Sequence, residues 1–271
     1  MFDTHTLKAR PESAYVHRWI DGSAMEMPLG KCVCVGRNYA EHARELGNEV
    51  PEEPLLFMKP ATALCSLHEP LVLPQAQGAV HHEVEMVVMI GERLSGETDL
   101  ETIRFAIAAY GVGLDLTLRD LQSRLKEKGH PWERAKAFDG GAPVSGFIDA
   151  RGISVRQNLE VSLEVNDESR QHGHTGQMLF PTFELIARIN QVFTLEPGDL
   201  IFTGTPAGVG PLTSGDKLTA RLGNILQGSP AWPDAGRVSQ APVLFRRRCL
   251  HRCCPCRIFP PGCLHRTAVR A

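Results

Sequence analysis

The stretch with the most concentrated chemistry is His81-His82-Glu83-Val84-Glu85-Met86-Val87-Val88-Met89-Ile90, which alternates in its first half and is solidly apolar in its second. That pattern predicts a strand that starts at a rim and runs into a core. Side chains on a strand change faces at every residue, so His81, Glu83 and Glu85 share one face. Two carboxylates side by side repel each other, and a hard divalent cation removes that cost because magnesium or calcium prefers carboxylate oxygen. A solvated strand face is the alternative. A third acid, Asp115, sits in Gly111-Val112-Gly113-Leu114-Asp115-Leu116-Thr117, which reads as a buried strand. An acid in that position has to be paired, hydrogen-bonded or on a metal. His42 and Glu45 are three residues apart on a helix predicted over residues 40–46 and so share a face. A carboxylate beside an imidazole raises its basicity and fixes its orientation, as a general base requires, although most exposed pairs of this spacing only decorate a helix.

Other elements must hold these residues in place. Strands are expected at 31–36, at 55–60, where Lys59 reads as the solvent end and Pro60 stops the ladder, and at 71–74. A helix is expected over 101–110, with Ile103 and Ile107 one turn apart, ahead of the strand bearing Asp115. A polar helix follows at 118–128, with Arg119, Asp120 and Gln122 near its start, then a turn-rich loop over 132–141 that offers Lys136. Residues 143–148 and 159–166 read as strands, the second with Val161, Leu163 and Val165 inward. A helix over 181–193 carries Leu185, Ile186, Ile189, Val192 and Phe193 at core spacing. The strand 199–202 runs into Thr203-Gly204-Thr205-Pro206-Ala207-Gly208-Val209-Gly210. This turn lacks the Lys-Ser/Thr of a P-loop, and Pro206 removes an amide donor, so it reads as a nest for a carboxylate and not a nucleotide cradle.

The 271 residues, 42% hydrophobic and 22% charged, describe an ordinary globular chain with no apolar run long enough for a membrane and no signal-peptide pattern at the start. A cytoplasmic enzyme without membrane or nucleic-acid partners is the expectation. The net charge of −2 hides an asymmetry, because residues 228–271 hold eight Arg, no Lys, one acid, six Pro and five of the eight Cys. A zinc or nucleic-acid module on Cys249, Cys253, Cys256, His251 and His265 is one reading of this tail, but its spacing matches no paired CxxC pattern. A reading-frame change in a GC-rich gene fits the Arg-, Pro- and Cys-rich composition better.

Lined up, these segments resemble the fumarylacetoacetate hydrolase family, closest to its acylpyruvate hydrolase and oxaloacetate decarboxylase branch. The resemblance runs over roughly residues 30–226 through GRNYAEHARE, LLFMKP, HHEVEM, GLDLTLRDLQ, WERAKAFDG and FTGTPAGVG, all in the family's order. It implies an α+β, mostly β fold, a mixed β-sheet roll of the family's C-terminal-domain type, assembled as a homodimer. It divides the chain into an N-terminal extension (1–29), a catalytic domain (30–227) and the atypical, irregular tail (228–271). By resemblance Glu83, Glu85 and Asp115 are the ligands of Mg2+ or Mn2+. His42 and Glu45 are the catalytic pair on a lid, with Lys136 as a further catalytic residue, and Arg37, Lys59, Gln122 and Thr205 face the substrate. The implied reaction cleaves a carbon-carbon bond in an acylpyruvate-like 2-oxo acid and releases pyruvate as an enolate, with His42 activating water and Lys136 or Gln122 meeting the oxyanion. The same electron sink serves oxaloacetate decarboxylation. An isomerase or decarboxylase of a homologous dienoate in aromatic catabolism, or a non-enzymatic binding module using the tail, are the other classes in view.

Overall fold

The computed structural model describes residues 15–74, 77–152, 158–223 and 226–228. The expectations for residues 1–14 and for the tail from 229 lie outside the described residues. Strand β1 (Cys32–Gly36) is followed by helix α1 (Ala40–Glu45) and then by β2 (Leu55–Lys59), which pairs antiparallel with β1. Next come β3 (Leu64–Ser66), β4 (Val80–His82), β5 (Val84–Ile90), α2 (Leu100–Phe105) and β6 (Ile107–Leu114). The middle of the chain gives β7 (Thr117–Leu118), α3 (Arg119–Glu127), α4 (Glu133–Lys136), β8 (Ala142–Val144), β9 (Ile148–Asp149), β10 (Glu160–Val165) and β11 (Glu168–His174). The last described elements are α5 (Thr182–Val192), β12 (Leu200–Phe202), β13 (Gly210–Leu212), β14 (Leu218–Leu222) and β15 (Leu226–Gly228).

The main sheet runs β2-β1-β12-β5-β6-β8-β3, with β9 also paired to β6. It is mixed, because β1 pairs parallel with β12, and β3 with β8, while the other neighbours are antiparallel. The expected mostly β architecture is therefore the one observed. On β5, Val84, Met86, Val88 and Ile90 face one core while Val87 and Met89 face another, which is why the run carries no polar residue after Glu85. The first core is closed by Val161, Leu163, Leu218 and Ala220 of the second sheet (β11-β10-β14-β15) and by Ile103, Leu185, Ile186 and Ile189 of α2 and α5. The second core is closed by Met25 and the half-buried Tyr15, Trp19, Met27 and Leu29, so this segment ahead of β1 packs with Phe147 and Phe202. No helix among the described residues is long and apolar enough to cross a membrane.

Several sequence expectations are corrected. The strand expected over 81–90 is interrupted at Glu83: β4 joins a separate three-stranded sheet, β13-β4-β7, while β5 enters the main sheet. The helix expected over 101–110 ends at Phe105, because Ile107 to Leu114 pair along β5 instead, with no Gly or Pro marking the change. Residues 71–74 form no strand; Leu71 is buried but Val72 is 75% exposed. The loop over 132–141 contains the helical turn α4, and the strand over 143–148 is divided between β8 and β9. Val192 is exposed and lies off the core face of α5.

Candidate active site

The interruption at Glu83 builds the site. Val84 lies opposite Leu114 in the antiparallel β5–β6 pair, so Glu83 and Asp115, each one residue past its strand, come side by side. The Asp115 N–H donates to the Glu83 carbonyl at 2.8 Å and locks that arrangement. Glu85, two residues further on, contributes the third acid. One oxygen from each of Glu83, Glu85 and Asp115 lies within 4.8 Å of the others, and all three residues are buried.

The three acids are unequally compensated. Lys136, on α4, donates to Glu83 Oε2 at 2.8 Å and to Asp115 Oδ2 at 2.6 Å. Arg119 pairs with Glu83 and donates to Gln122 Oε1 at 2.7 Å. Glu85 has no cationic partner among the described residues; its Oε2 accepts from the Gly204 N–H at 2.7 Å. Burial pushes the Glu83 carboxyl up, but Lys136 and Arg119 outweigh it and hold the group well below the usual carboxylate range. Burial raises Glu85 well above that range, and the neighbouring Asp115 and Glu83 raise it further. Burial opposes the charge on Lys136, yet Asp115 and Glu83 keep its ammonium protonated beyond an ordinary lysine. A set of buried hard oxygens that includes one carboxylate without a counter-charge suits a divalent cation.

Helix α1 brings buried His42 to the same pocket, with Nδ1 3.4 Å from Glu45 Oε2. The Glu45 carboxylate also accepts from the Gly208 N–H, at 3.1 and 3.2 Å, which ties α1 to the glycine turn. Burial lowers the His42 pKa below an ordinary imidazole, and Glu83 and Glu45 oppose this less strongly, so the ring is neutral and able to accept a proton at pH 7. The turn itself depends on glycine. Gly204 and Gly208 both have φ of +97°, and a Cβ would lie 2.6 Å from Asn38 Cβ at the first and 2.0 Å from the Arg170 carbonyl oxygen at the second.

Arg37, His42, Glu83, Glu85, Gln122, Lys136 and Thr205 line one pocket, and Asp115 lies behind Lys136. Lys59 does not reach this pocket, contrary to its expected place beside the substrate. It is fully buried, donating to the carbonyls of Leu116 (3.1 Å), Gly141 (2.8 Å) and Lys136, with Asp115 Oδ1 at 2.7 Å. An ammonium has three protons, and the three carbonyls take them, so Asp115 Oδ1 is held by charge and not by a hydrogen bond. Lys59 therefore anchors Asp115 and the 136–141 segment. Lys59→Met should lower unfolding free energy by about 3–5 kcal/mol, because it leaves a buried carboxylate with one counter-charge fewer and several carbonyls unpaired. Urea titration of the two proteins checks this, and a loss under about 1 kcal/mol refutes the anchoring role. The sequence places Arg119 near the start of the 118–128 helix but assigns it no role at the site, although its i, i+3 spacing to Gln122 straight after a buried strand was a readable signal.

The family model described as fumarylacetoacetate (FAA) hydrolase C-terminal matches residues 31–236. An oxaloacetate tautomerase of Escherichia coli is 54% identical over 204 residues, 75% of this chain and 92% of that protein. A mitochondrial oxaloacetate tautomerase of Bos taurus is 41% identical over 194 residues, 72% of this chain and 87% of that one. Among solved structures, a fumarylpyruvate hydrolase from Pseudomonas aeruginosa in complex with Mn2+ and pyruvate superposes with a TM-score of 0.76 at 36% identity, covering 82% of this chain and 97% of that one.

Proposed function

The chain belongs to the fumarylacetoacetate hydrolase family, and from that premise we propose that it interconverts the keto and enol forms of a 2-oxo dicarboxylic acid of the oxaloacetate kind. Glu83, Glu85 and Asp115 would hold a magnesium or manganese ion. The observation that carries the reading is the convergence of Glu83 and Glu85, backed by Asp115, with neutral His42 and charged Lys136 at one pocket, in a chain 54% identical over 204 residues to an oxaloacetate tautomerase. When bound, the cation would supply positive charge against which the carboxylate and keto oxygens of a 2-oxo acid are held and enolate charge is stabilised.

His42 takes a proton from the substrate's C3 at a ring nitrogen, the C–H electron pair moves toward the 2-oxygen, and the same imidazole returns the proton to that oxygen. Nothing is consumed and the step runs equally in reverse. Lys136 stays protonated and acts as a fixed charge beside the developing enolate. The glycine turn with Thr205 receives the carboxylate. Arg37 and Lys126 line the same pocket and pair with no carboxylate among the described residues; Lys126 meets only Asn48 Oδ1, at 3.3 Å. Two cations without carboxylate partners in the same pocket favour a substrate with a second anionic group. Lys126→Glu should raise KM for oxaloacetate about tenfold and leave KM for a monocarboxylic 2-oxo acid within about twofold. Steady-state comparison of the two substrates measures it, and equal changes in both refute the charge argument.

A second reading, hydrolysis of an acylpyruvate, is favoured by the likeness to the fumarylpyruvate hydrolase structure. There His42 would deprotonate water and Lys136 or Gln122 would meet the oxyanion. The deciding experiment follows enol-oxaloacetate absorbance, carbon dioxide release and acylpyruvate cleavage with one enzyme preparation. Tautomerisation is expected to have the largest kcat/KM. A larger value for acylpyruvate cleavage would replace the first reading by the second.

A further inference from the structure

We propose that Gln171, outside the pocket on β11, is a positioning residue that turns the hydroxyl proton of Thr205 toward the substrate carboxylate. This deepens the reading above and rests on it. Gln171 is 1% exposed, and its amide makes four contacts. Oε1 is 3.0 Å from Val84 N and 2.9 Å from His82 Nδ1; Nε2 is 2.8 Å from Thr205 Oγ1 and 2.9 Å from the Pro206 carbonyl oxygen. The amide's orientation is fixed by chemistry, since a backbone N–H can only donate and a carbonyl can only accept. Oxygen therefore faces Val84 and nitrogen faces Pro206.

Two consequences follow from that orientation. His82 Nδ1 must carry a proton to donate to Oε1. Thr205 Oγ1 must accept from Nε2, which leaves its own proton to find another partner. The acceptor it has within the described residues is the Pro206 carbonyl at 3.5 Å, at the limit of a hydrogen bond and already engaged by Gln171. Thr205 lines the pocket, so its proton is available to an anion there. The same amide holds Val84, which lies between Glu83 and Glu85, against the turn whose Gly204 N–H donates to Glu85. Close approach makes this reach feasible: a Cβ on Gly173, two residues along β11, would lie 2.6 Å from Pro206 Cβ.

Gln171→Glu keeps both acceptor contacts and replaces the donor by a second acceptor, so the Thr205 hydroxyl turns back onto residue 171. A hydrogen bond to a charged group is lost, and KM for oxaloacetate should rise about ten- to a hundredfold with kcat within about threefold. Thr205→Val should do the same, and Gln171→Glu should then add less than about twofold in the Thr205→Val background. A merely structural role would add its full effect in both backgrounds, and that result overturns the proposal while leaving the assigned reaction intact. An unchanged KM in Thr205→Val removes Thr205 from the site, and the proposal with it. If Gln171→Glu does not fold, the imidazole 15N shifts of His82 in the wild-type protein decide: a protonated Nδ1 supports the orientation, and a bare Nδ1 overturns it.

Discussion

Glu85→Gln is expected to weaken binding of magnesium or manganese by more than about 10²-fold, beyond the usual effect of losing an outer-shell partner, and to cut turnover by about 10³-fold, with the metal-free fold unharmed. The reason lies in its neighbours. Glu83 is balanced by Lys136 and Arg119, and Asp115 by Lys136 and Lys59, but Glu85 accepts only a backbone N–H and faces two other acids. Burial, then Asp115 and Glu83, hold its carboxyl well above the usual range, so glutamine imitates the protonated side chain. Glu83→Gln and Asp115→Asn should behave differently. Each removes a charge that buried cations are paired with, and each should lower stability by about 3–5 kcal/mol as well as weaken metal binding. Titration calorimetry of the metal gives affinity, and repeating it in buffers of different ionisation enthalpy counts released protons. Wild type should release more protons on metal binding than Glu85→Gln does, because burial and the neighbouring acids raise the Glu85 carboxyl and the cation favours its ionised form. Undiminished affinity in Glu85→Gln, or a metal-free melting temperature well below wild type, would end the assignment of Glu85 as a ligand.

Much of this arrangement could be read from the chain, and where it could not, the reason is local. β1, β5, α3 and α5 announce themselves through apolar runs or helical spacing, and β10 through strict alternation. β11 carried no such signal: its side chains are mostly exposed and polar, and its most buried one, Gln171, is an amide. The remaining cue was Asn166-Asp167, which have φ of +55° and +62° and form the two-residue turn between β10 and β11. The end of α2 was invisible because Ala106 and Ile107 suit a helix as well as a strand, and the choice is made by pairing with β5. Lys59 was misplaced for a related reason. A cation at a strand end looks solvent-facing unless its acceptors are known, and these come from Leu116, Lys136 and Gly141, far along the chain. The three acids were legible because the apolar run 81–90 carries two of them in alternation and the apolar run 111–117 carries the third. What the sequence did not show was the interruption at Glu83, which brings that residue level with Asp115.

His42→Ala should separate three reactions that one pocket of this kind can support. Moving a proton between C3 and the 2-oxygen, and generating hydroxide from water, both need a base. Losing carbon dioxide from a bound 2-oxo acid needs mainly an electron sink, which does not involve His42. A positioned general base is typically worth about 10² to 10⁴ in rate, so tautomerisation and any acylpyruvate hydrolysis should fall by a factor in that range. Decarboxylation of oxaloacetate should fall far less. Burial holds the His42 pKa below that of an ordinary imidazole, so the active, unprotonated form persists through neutrality. In wild type the rate should decline only as pH drops below the usual imidazole range, and this acid limb should vanish for whatever activity His42→Ala retains. Glu45→Gln should follow the same pattern more mildly, since its carboxylate lies 3.4 Å from His42 Nδ1 and is shared with the Gly208 N–H. It orients the ring and ties α1 to the turn without taking the proton itself. The measurement is the ratio of tautomerisation to decarboxylation in wild type and both variants at saturating magnesium. Equal losses in the two reactions would mean that His42 and Glu45 act by closing α1 over any substrate, and the proton-transfer role would then pass from His42 to another group in the pocket.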